Sequence, residues 1–369
     1  MSIQKKYNVI GIMSGTSIDG LDCSFMTTDG ENLVSIKFEK TYKYSQNYRN
    51  KLKKIIKYLN KKRLIKINQY AKNQEGIVTN KFIQIIKKFI KEYDIKYSSI
   101  DYIGISGQTV FHDPKNKKTI QFGSCKKIQK KIKLKIVGNF RENDILNGGQ
   151  GAPLASIYHQ LILSRIKSKP PSAFINIGGI SNITYIDKYN KVVSFDTGPG
   201  NYLIDEWVRI KAKKEFDRDG LIAKSGQIDE EILKKYLSDL YYKKKFPKSL
   251  DVKDFNLQNL NKLSLKDGCA TLSMLTARSI CIALNSFKKK PNLVLISGGG
   301  RKNKYIIDNI KKKFTGSVKL IDDFSFNGDF IESQAFAYLA IRSYLKKFIT
   351  FPSTTGVRKP CLGGSVFKS

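Results

Sequence analysis

Side chains suited to metal and redox chemistry are scarce in this chain: its 369 residues hold two histidines and five cysteines. With only His112 and His159 to supply imidazole, a structural zinc site is not supported. Cys23, Cys125, Cys269, Cys281 and Cys361 are odd in number, scattered and never in a CxxC pair. That spacing argues against a disulfide framework and leaves a Cys/His nucleophile without a local motif. No apolar run approaches the length that spans a bilayer. The opening "YNVIGIM" is too short for a signal core and has no small-residue cleavage site after it, so a cytoplasmic protein is expected. Acids are also few, 31 against 67 basic residues, giving a net charge of +36. The lysines are spread along the whole chain together with abundant Asn and Ile. With no RNA-recognition motif, basic zipper or zinc finger to receive nucleic acid, the charge reads as a solvated basic surface. It should still draw anionic substrates toward the protein.

What the chain does contain is alternation of strand and helix patterns over a length that suits two domains. "YNVIGIM" and Leu21, Cys23 and Phe25 read as strand, turn, strand. Amphipathic helices follow over residues 47–60 and 70–93, the second with Ile83, Ile86, Phe89 and Ile90 on one face. "IDYIGISGQT" reads as a buried strand ending in a polar loop, with "TIQFG" and "KLKIVGNF" as further strands. "APLASIYHQLILSRI" reads as a helix, stopped by "KPP" at 169–171. The pattern then restarts with "SAFINIGGISNITYID", a second strand, glycine turn and strand. Helices are expected near 270–286 and 302–313, with "NLVLISGGG" as a strand between them and "SVKLIDD" as another. The alanine-rich "FIESQAFAYLAIRSYLKKF" closes the series as a helix. Two α/β halves with a boundary near Pro170 and Pro171 account for this order.

The turn in "NVIGIMSGTSIDGLD" admits two readings. It lacks the lysine of a Walker A loop and runs into a strand, whereas that loop and the dinucleotide fingerprint both open a helix. Gly15, Thr16, Ser17 and Gly20 could present amides and hydroxyls to phosphate, with Asp19 or Asp22 holding water on Mg²⁺. A plain Asp-Gly hairpin explains the same residues. The second glycine turn, "NIGGISN", and the "SGGG" at 297–300 shift the balance, because together they supply two phosphate hairpins and a close-approach turn. That is the logic of the actin, Hsp70 and hexokinase superfamily.

At the level of whole motifs the chain resembles the anhydro-N-acetylmuramic acid kinase family. "GIMSGTSIDGLD", "NGGQGAPL", "NIGGISN", "FDTGPGN", "FDRDG", "SGGG" and the "TG" at 355 and 356 occur in that family's order, from about residue 8 to residue 364. The resemblance implies an α/β, two-lobed, ribonuclease H-like ATPase fold with a central ATP cleft. Residues 1–170 with about 345–369 would form lobe I, and 171–344 lobe II. It implies conversion of 1,6-anhydro-N-acetylmuramic acid, ATP and water to N-acetylmuramic acid 6-phosphate, in the recycling of cell-wall amino sugars by a homodimer. Another sugar kinase of the superfamily, or a non-catalytic nucleotide-gated binding protein, are the rival readings.

The same resemblance distributes roles. Asp196 is the expected base and Glu332 helps orient water. ATP and Mg²⁺ would be held by Gly15, Thr16, Ser17, Ile18, Asp19, Gly20, Leu21 and Asp22, with Asp19 and Asp22 reaching the metal through water. The second hairpin would add Asn176, Gly178, Gly179 and Asn182, and the adenosine turn Gly298, Gly299, Gly300 and Asn303. Gln108, Thr109, Arg141, Asp144, Gln150, Gly151 and Ala152 would line the sugar pocket, joined by Gly198, Gly200 and Asn201. Arg141 suits a carboxylate or phosphate through its guanidinium fork. Ser106 stands where the family has a histidine, and Asn139 where an aspartate is common.

Overall fold

The computed structural model describes residues 5–15, 17–61 and 69–368. The chain divides into two compact units, Met1–Leu161 with Glu332–Ser369, and Ile162–Ile331. In the first unit, β1 (Tyr7–Ser14), β2 (Gly20–Thr28) and β3 (Val34–Lys43) form an antiparallel meander. Helices α1 (Gln46–Lys61) and α2 (Gln69–Glu92) precede β4 (Tyr102–Asp113), which pairs parallel with β1. Then come β5 (Lys118–Phe122), α3 (Cys125–Ile132), β6 (Ile136–Gly138), α4 (Glu142–Leu146) and α5 (Ser156–Arg165), within which the first unit ends at Leu161.

The second unit repeats the plan. The meander β7 (Ser172–Ile177), β8 (Ile180–Ile186) and β9 (Val192–Pro199) is followed by α6 (Tyr202–Ala212), α7 (Leu221–Lys224), α8 (Glu230–Leu237) and α9 (Leu265–Asn285). Strands β10 (Leu293–Ser297) and β11 (Ser317–Leu320) add in parallel, with α10 (Lys304–Lys313) between them. The chain returns to the first unit with α11 (Ile331–Tyr344) and β12 (Ser365–Phe367). Strand order is β12-β6-β4-β1-β2-β3 in one sheet and β11-β10-β7-β8-β9 in the other. Each sheet therefore carries a meander at one side and two parallel strands next to it, with β12 added antiparallel at the edge of the first sheet, the ribonuclease H-like order expected of this fold class.

Local patterning explains most elements. In α2 the buried face is Val78, Phe82, Ile85, Ile86, Phe89 and Ile90, at helical spacing, and Ile83 sits at its edge rather than its centre. Two expectations change. "SGQTVFH" is strand rather than loop, because β5 folds back antiparallel on residues 108–113. "KLKIVGNF" gives only the three residues of β6. Glu332 and the rest of α11 after Ile331 belong to the compact unit that holds the first sheet.

The cause is glycine. A Cβ on Gly11 of β1 would lie 1.8 Å from the Ser333 carbonyl oxygen, and one on Gly104 of β4 would lie 2.2 Å from that of Phe336. Helix α11 lies directly on bare backbone at both points, so its alanine-rich face sets the layer spacing. The Ser24 and Ser333 hydroxyls meet at 2.6 Å, and Gln334 donates to Glu39 at 2.6 Å. All five cysteines are free and buried, and burial raises every thiol pKa, so none supplies a thiolate at neutral pH. Among the described residues, no helix is long and apolar enough to cross a membrane.

Gly11→Ala tests the close approach of α11. The substitution should destabilise the protein by about 2–4 kcal/mol, read from urea unfolding, because both partners are backbone and neither can turn aside.

Candidate active site

Strand register in the second unit lines up four polar side chains. Ser297 of β10 pairs with Asn176 of β7, Asn176 with Asn182 of β8, and Asn182 with Asp196 of β9. Paired positions share a sheet face, and the Ser297 hydroxyl accordingly donates to Asn176 Oδ1 at 3.4 Å. The β8–β9 register shifts between Ser181 and Asn182, next to Asp196, where an extra residue re-aims the strand.

Asp196 is 7% exposed and is gripped by the segment that follows α8. Its Oδ2 accepts from the Leu250 N–H at 2.8 Å, and its own N–H donates to the Lys248 carbonyl at 3.0 Å. Tyr241, in a short 3-10 turn at Leu240–Lys243, donates its hydroxyl to the Asp196 carbonyl oxygen. Burial, reinforced by the charge of Asp196, pushes the Tyr241 phenol well up, so it remains a donor. Lys248 donates to the Tyr241 carbonyl at 2.9 Å and lies over the Phe195 and Tyr241 rings. Burial, with Lys244 nearby, lowers its pKa. A basic, sequence-anonymous loop thus encloses the one carboxylate of the row.

The glycine turn between β7 and β8 is latched from behind. Gly200 and Tyr202 donate to the Gly179 carbonyl at 2.9 and 3.2 Å, and Asn201 donates to that of Gly178 at 2.7 Å. A Cβ on Gly200 would lie 2.2 Å from the Gly178 oxygen, which is why the "GPGN" motif needs glycine there. Gly198 faces α9, where a Cβ would meet Ser279 at 2.7 Å. In the "SGGG" turn, Gly298 has φ 80° and ψ 171°, a conformation open only to glycine. A Cβ there would press to 2.4 Å on Asn176 Oδ1, and one on Gly300 would meet Ile177 and Asn201; Gly299 is exposed. Asn303 is different. Its Oδ1 caps α10 through Ile306 N–H at 3.1 Å, so the cofactor contact expected of that oxygen has a structural claimant.

Arg301, which sequence reasoning passed over, fastens this turn. Its Nε and Nη2 fork onto Asp322 at 2.6 and 2.9 Å, and Nη1 reaches Asp329 at 2.6 Å and the Gly298 carbonyl at 3.0 Å. Burial raises both aspartates, but the bonds and charge of Arg301, with Lys302 at Asp329, outweigh it and hold both below the usual carboxylate range.

In the first unit, Thr16 lies outside the described residues. Gly15 accepts from the Ile18 N–H at 3.2 Å; Ser17 and Asp19 are exposed, and Gly20 and Leu21 are buried. Ile18 has φ 59°, an outlier for a β-branched residue, so the turn carries strain at its tip. The Asp19 carboxylate pairs with Arg49 at 3.0 Å, and Asp22 accepts from the Thr41 hydroxyl at 2.5 Å. Gln108, placed in the sugar pocket by sequence, is fully buried behind this turn instead. Its Oε1 accepts from Ser14 at 2.6 Å and its Nε2 donates to the Gly15 carbonyl at 3.3 Å. Ser106 accepts from the Ser14 N–H at 3.3 Å, so its hydroxyl buttresses the same hairpin. Its neighbour Thr109 accepts weakly from Gln121 at 3.5 Å.

A second cluster forms around "NFREND" and "GGQGA". Asp144, 1% exposed, accepts from the Gly151 N–H and the Thr355 hydroxyl, each at 2.6 Å. Gln150 donates its N–H to the Thr355 carbonyl at 2.8 Å, and its own carbonyl lies 3.0 Å from His112 Nε2. Ala152 follows, half-buried. Arg141 Nη1 donates to the Gly151 carbonyl at 2.7 Å, and the Arg141 charge also acts on Glu332. Burial raises the Glu332 carboxyl and Arg141 offsets part of that rise. Asn139 sits at φ 59°, a left-handed position that Asn and Asp both tolerate, so its departure leaves the backbone undisturbed. Thr355 and His112 were missed as members of this cluster; the "TG" motif was the only signal for the first. Among the described residues no group of three or more His, Cys, Asp or Glu could hold a metal. Two carboxylates of one hairpin suit Mg²⁺ carried in with phosphates, not a resident ion.

The family model described as anhydro-N-acetylmuramic acid kinase matches residues 7–369. The chain is 40% identical to the protein of that name from Pelagibacter ubique, with 100% of each chain covered. It is 37% identical to that from Zymomonas mobilis, covering 97% of this chain and 98% of the relative. Solved structures give remote likenesses. The (R)-2-hydroxyglutaryl-CoA dehydratase component A of Acidaminococcus fermentans aligns at TM-score 0.47 and 13% identity, over 92% of this chain and 99% of that one. A ROK family glucokinase from Streptomyces griseus, solved with glucose and AMPPNP, aligns at TM-score 0.40 and 12% identity, over 90% and 99%.

Arg301→Met tests the fastening of the turn at Gly298 to Gly300. It should cost about 2 kcal/mol in urea unfolding, less than a fully dry pair because both aspartates are a third or more open to solvent. The aspartates' folded pKa values are depressed, so their contribution is present above about pH 4 and is lost as pH falls through the depressed values. The variant's stability should therefore fall less steeply than wild type on acidification below that pH.

Proposed function

Because the chain belongs to the anhydro-N-acetylmuramic acid kinase family, we propose that Asp196 is the base of a hydrolytic sugar kinase. The enzyme uses ATP and water to turn 1,6-anhydro-N-acetylmuramic acid into N-acetylmuramic acid 6-phosphate. The observation that supports this role is the grip on Asp196: a carboxylate inside β9 beside a register shift, nearly buried, with one oxygen held by Leu250 N–H. Fixing Oδ2 sets the direction in which the carboxylate can take a proton, which is what a base acting on water requires.

The residues divide the remaining work. Water attacks the anomeric carbon and gives a proton to Asp196. The electron pair of the anhydro C1–O6 bond passes to O6, which takes the γ-phosphoryl group as ADP departs. The turn at Gly178 and Gly179, and the turn from Gly15 to Gly20, offer backbone N–H groups to phosphate oxygens. Mg²⁺, when bound with ATP near Asp19 and Asp22, neutralises charge on the phosphates. Arg141 serves the sugar's lactyl carboxylate, with Asp144, Gln150 and Gly151 shaping the wall beside it. Glu332, raised by burial and offset by Arg141, helps order water. Gly298 to Gly300 let adenosine approach the backbone closely. A cytoplasmic homodimer that recycles cell-wall amino sugars belongs to the same reading.

Asp196→Asn keeps the shape and the Leu250 contact but removes the base. Turnover should fall by about 10³-fold or more while ATP and sugar binding, read by calorimetry, stay near wild type. Turnover close to wild type would refute the assignment.

A further inference from the structure

The segment that follows α8 meets Asp196 at both of its ends. At one end the Tyr241 hydroxyl donates to the Asp196 carbonyl oxygen. At the other, the Lys248 carbonyl accepts from the Asp196 N–H at 3.0 Å, and the Leu250 N–H donates to Asp196 Oδ2 at 2.8 Å. Between the ends, Lys243, Lys244, Lys245 and Phe246 are exposed. One side chain spans the gap. Lys248 Nζ donates to the Tyr241 carbonyl at 2.9 Å and to that of Tyr242 at 3.5 Å. It also lies 4.5 Å from the centroid of the Tyr241 ring and 5.6 Å from that of Phe195, the residue before Asp196. A lysine that only solubilised the loop would face water, as Lys243, Lys244 and Lys245 do. Lys248 is half-buried instead, with its ammonium among carbonyls and ring faces that compensate for lost water.

Resting on the assignment of Asp196 as base, we propose that Lys248 is a positioning residue whose ammonium ties the two ends of this segment together and so keeps the Leu250 N–H on the carboxylate. Lys248 acts through Leu250, two residues on, and none of the residues assigned to ATP or the sugar belongs to the segment. Without the ammonium, Tyr241 and the stacking of Phe246 on Phe195, at 5.1 Å between centroids, still hold the segment to β9. The segment therefore stays folded while the Leu250 N–H slackens and Oδ2 loses its fixed direction. The loss falls on the chemical step, because a base that wanders is less often aligned with its water.

Lys248→Met keeps the apolar stem and removes the ammonium, whereas Lys248→Arg keeps a cation able to donate to both carbonyls. With the anhydro sugar and ATP, the Met variant should lose about 10- to 50-fold in kcat, with both KM values within about twofold of wild type. The Arg variant should keep at least about a third of the wild-type kcat. Amide hydrogen exchange, read by mass spectrometry, reports on the tie without reference to activity. Peptides covering residues 241–252 should exchange at least about fivefold faster in the Met variant, while those from β7 and α9 keep wild-type protection. Unchanged exchange over 241–252, or an unchanged kcat, overturns the proposal. So does a rise in either KM with kcat intact, which would make Lys248 a binding contact. If the Met variant loses protection throughout, the Arg variant decides: when folded, a kcat below about a tenth of wild type overturns the proposal. Failure of the underlying reading looks different. Wild type itself would not turn over the anhydro sugar, or Asp196→Asn would remain active, while the exchange pattern of Lys248→Met would still be as described.

Discussion

The hydrogen bond from Leu250 N–H to Asp196 Oδ2 is the constraint around which the second unit's site is arranged. A carboxylate at 7% exposure cannot rely on solvent for its donors, so the protein must supply them. It does so with a loop rather than with the sheet. Lys248 ties that loop to the Tyr241 and Tyr242 carbonyls and covers two aromatic rings, while Tyr241 bonds the backbone of Asp196 itself. The register shift beside Asp196 and the loop together leave its carboxylate with one defined orientation.

The two sheets share a strand order but treat their polar groups differently. Behind the first glycine turn, Ser14, Ser106 and Gln108 bond one another and the Gly15 carbonyl, with the Tyr44 hydroxyl 3.2 Å from that of Ser14. This is a closed network, and it supports a turn that holds Ile18 at positive φ. A closed network of that kind gives rigidity. In the second sheet Asn182 Oδ1, in the row from Ser297 to Asp196, is buried and makes no hydrogen bond.

Much of the fold was legible in sequence because its signals are local. Glycine turns between alternating strands marked both hairpins, and the ordered motifs led to the family. What sequence could not show depends on contacts between distant segments. Helix α11 joins the first sheet because Gly11 and Gly104 lack side chains, and two isolated glycines in a strand pattern do not name the helix they admit. Asp196 was recognisable, but the 241–250 segment that grips it reads only as a lysine-rich loop. Gln108 reads as a pocket residue until burial shows both ends of its amide engaged behind the hairpin. Arg301 lies one residue past a legible glycine turn, yet its importance comes from Asp322 and Asp329, more than 20 residues away along the chain.

Water as the nucleophile at carbon is the central chemical claim. Turnover of 1,6-anhydro-N-acetylmuramic acid by the wild-type protein in ¹⁸O-water, with products resolved by mass spectrometry and NMR, tests it most directly. The account predicts one labelled oxygen at the C1 hydroxyl and none at O6 or in the transferred phosphate. Label in the phosphate, or its absence from C1, would contradict it.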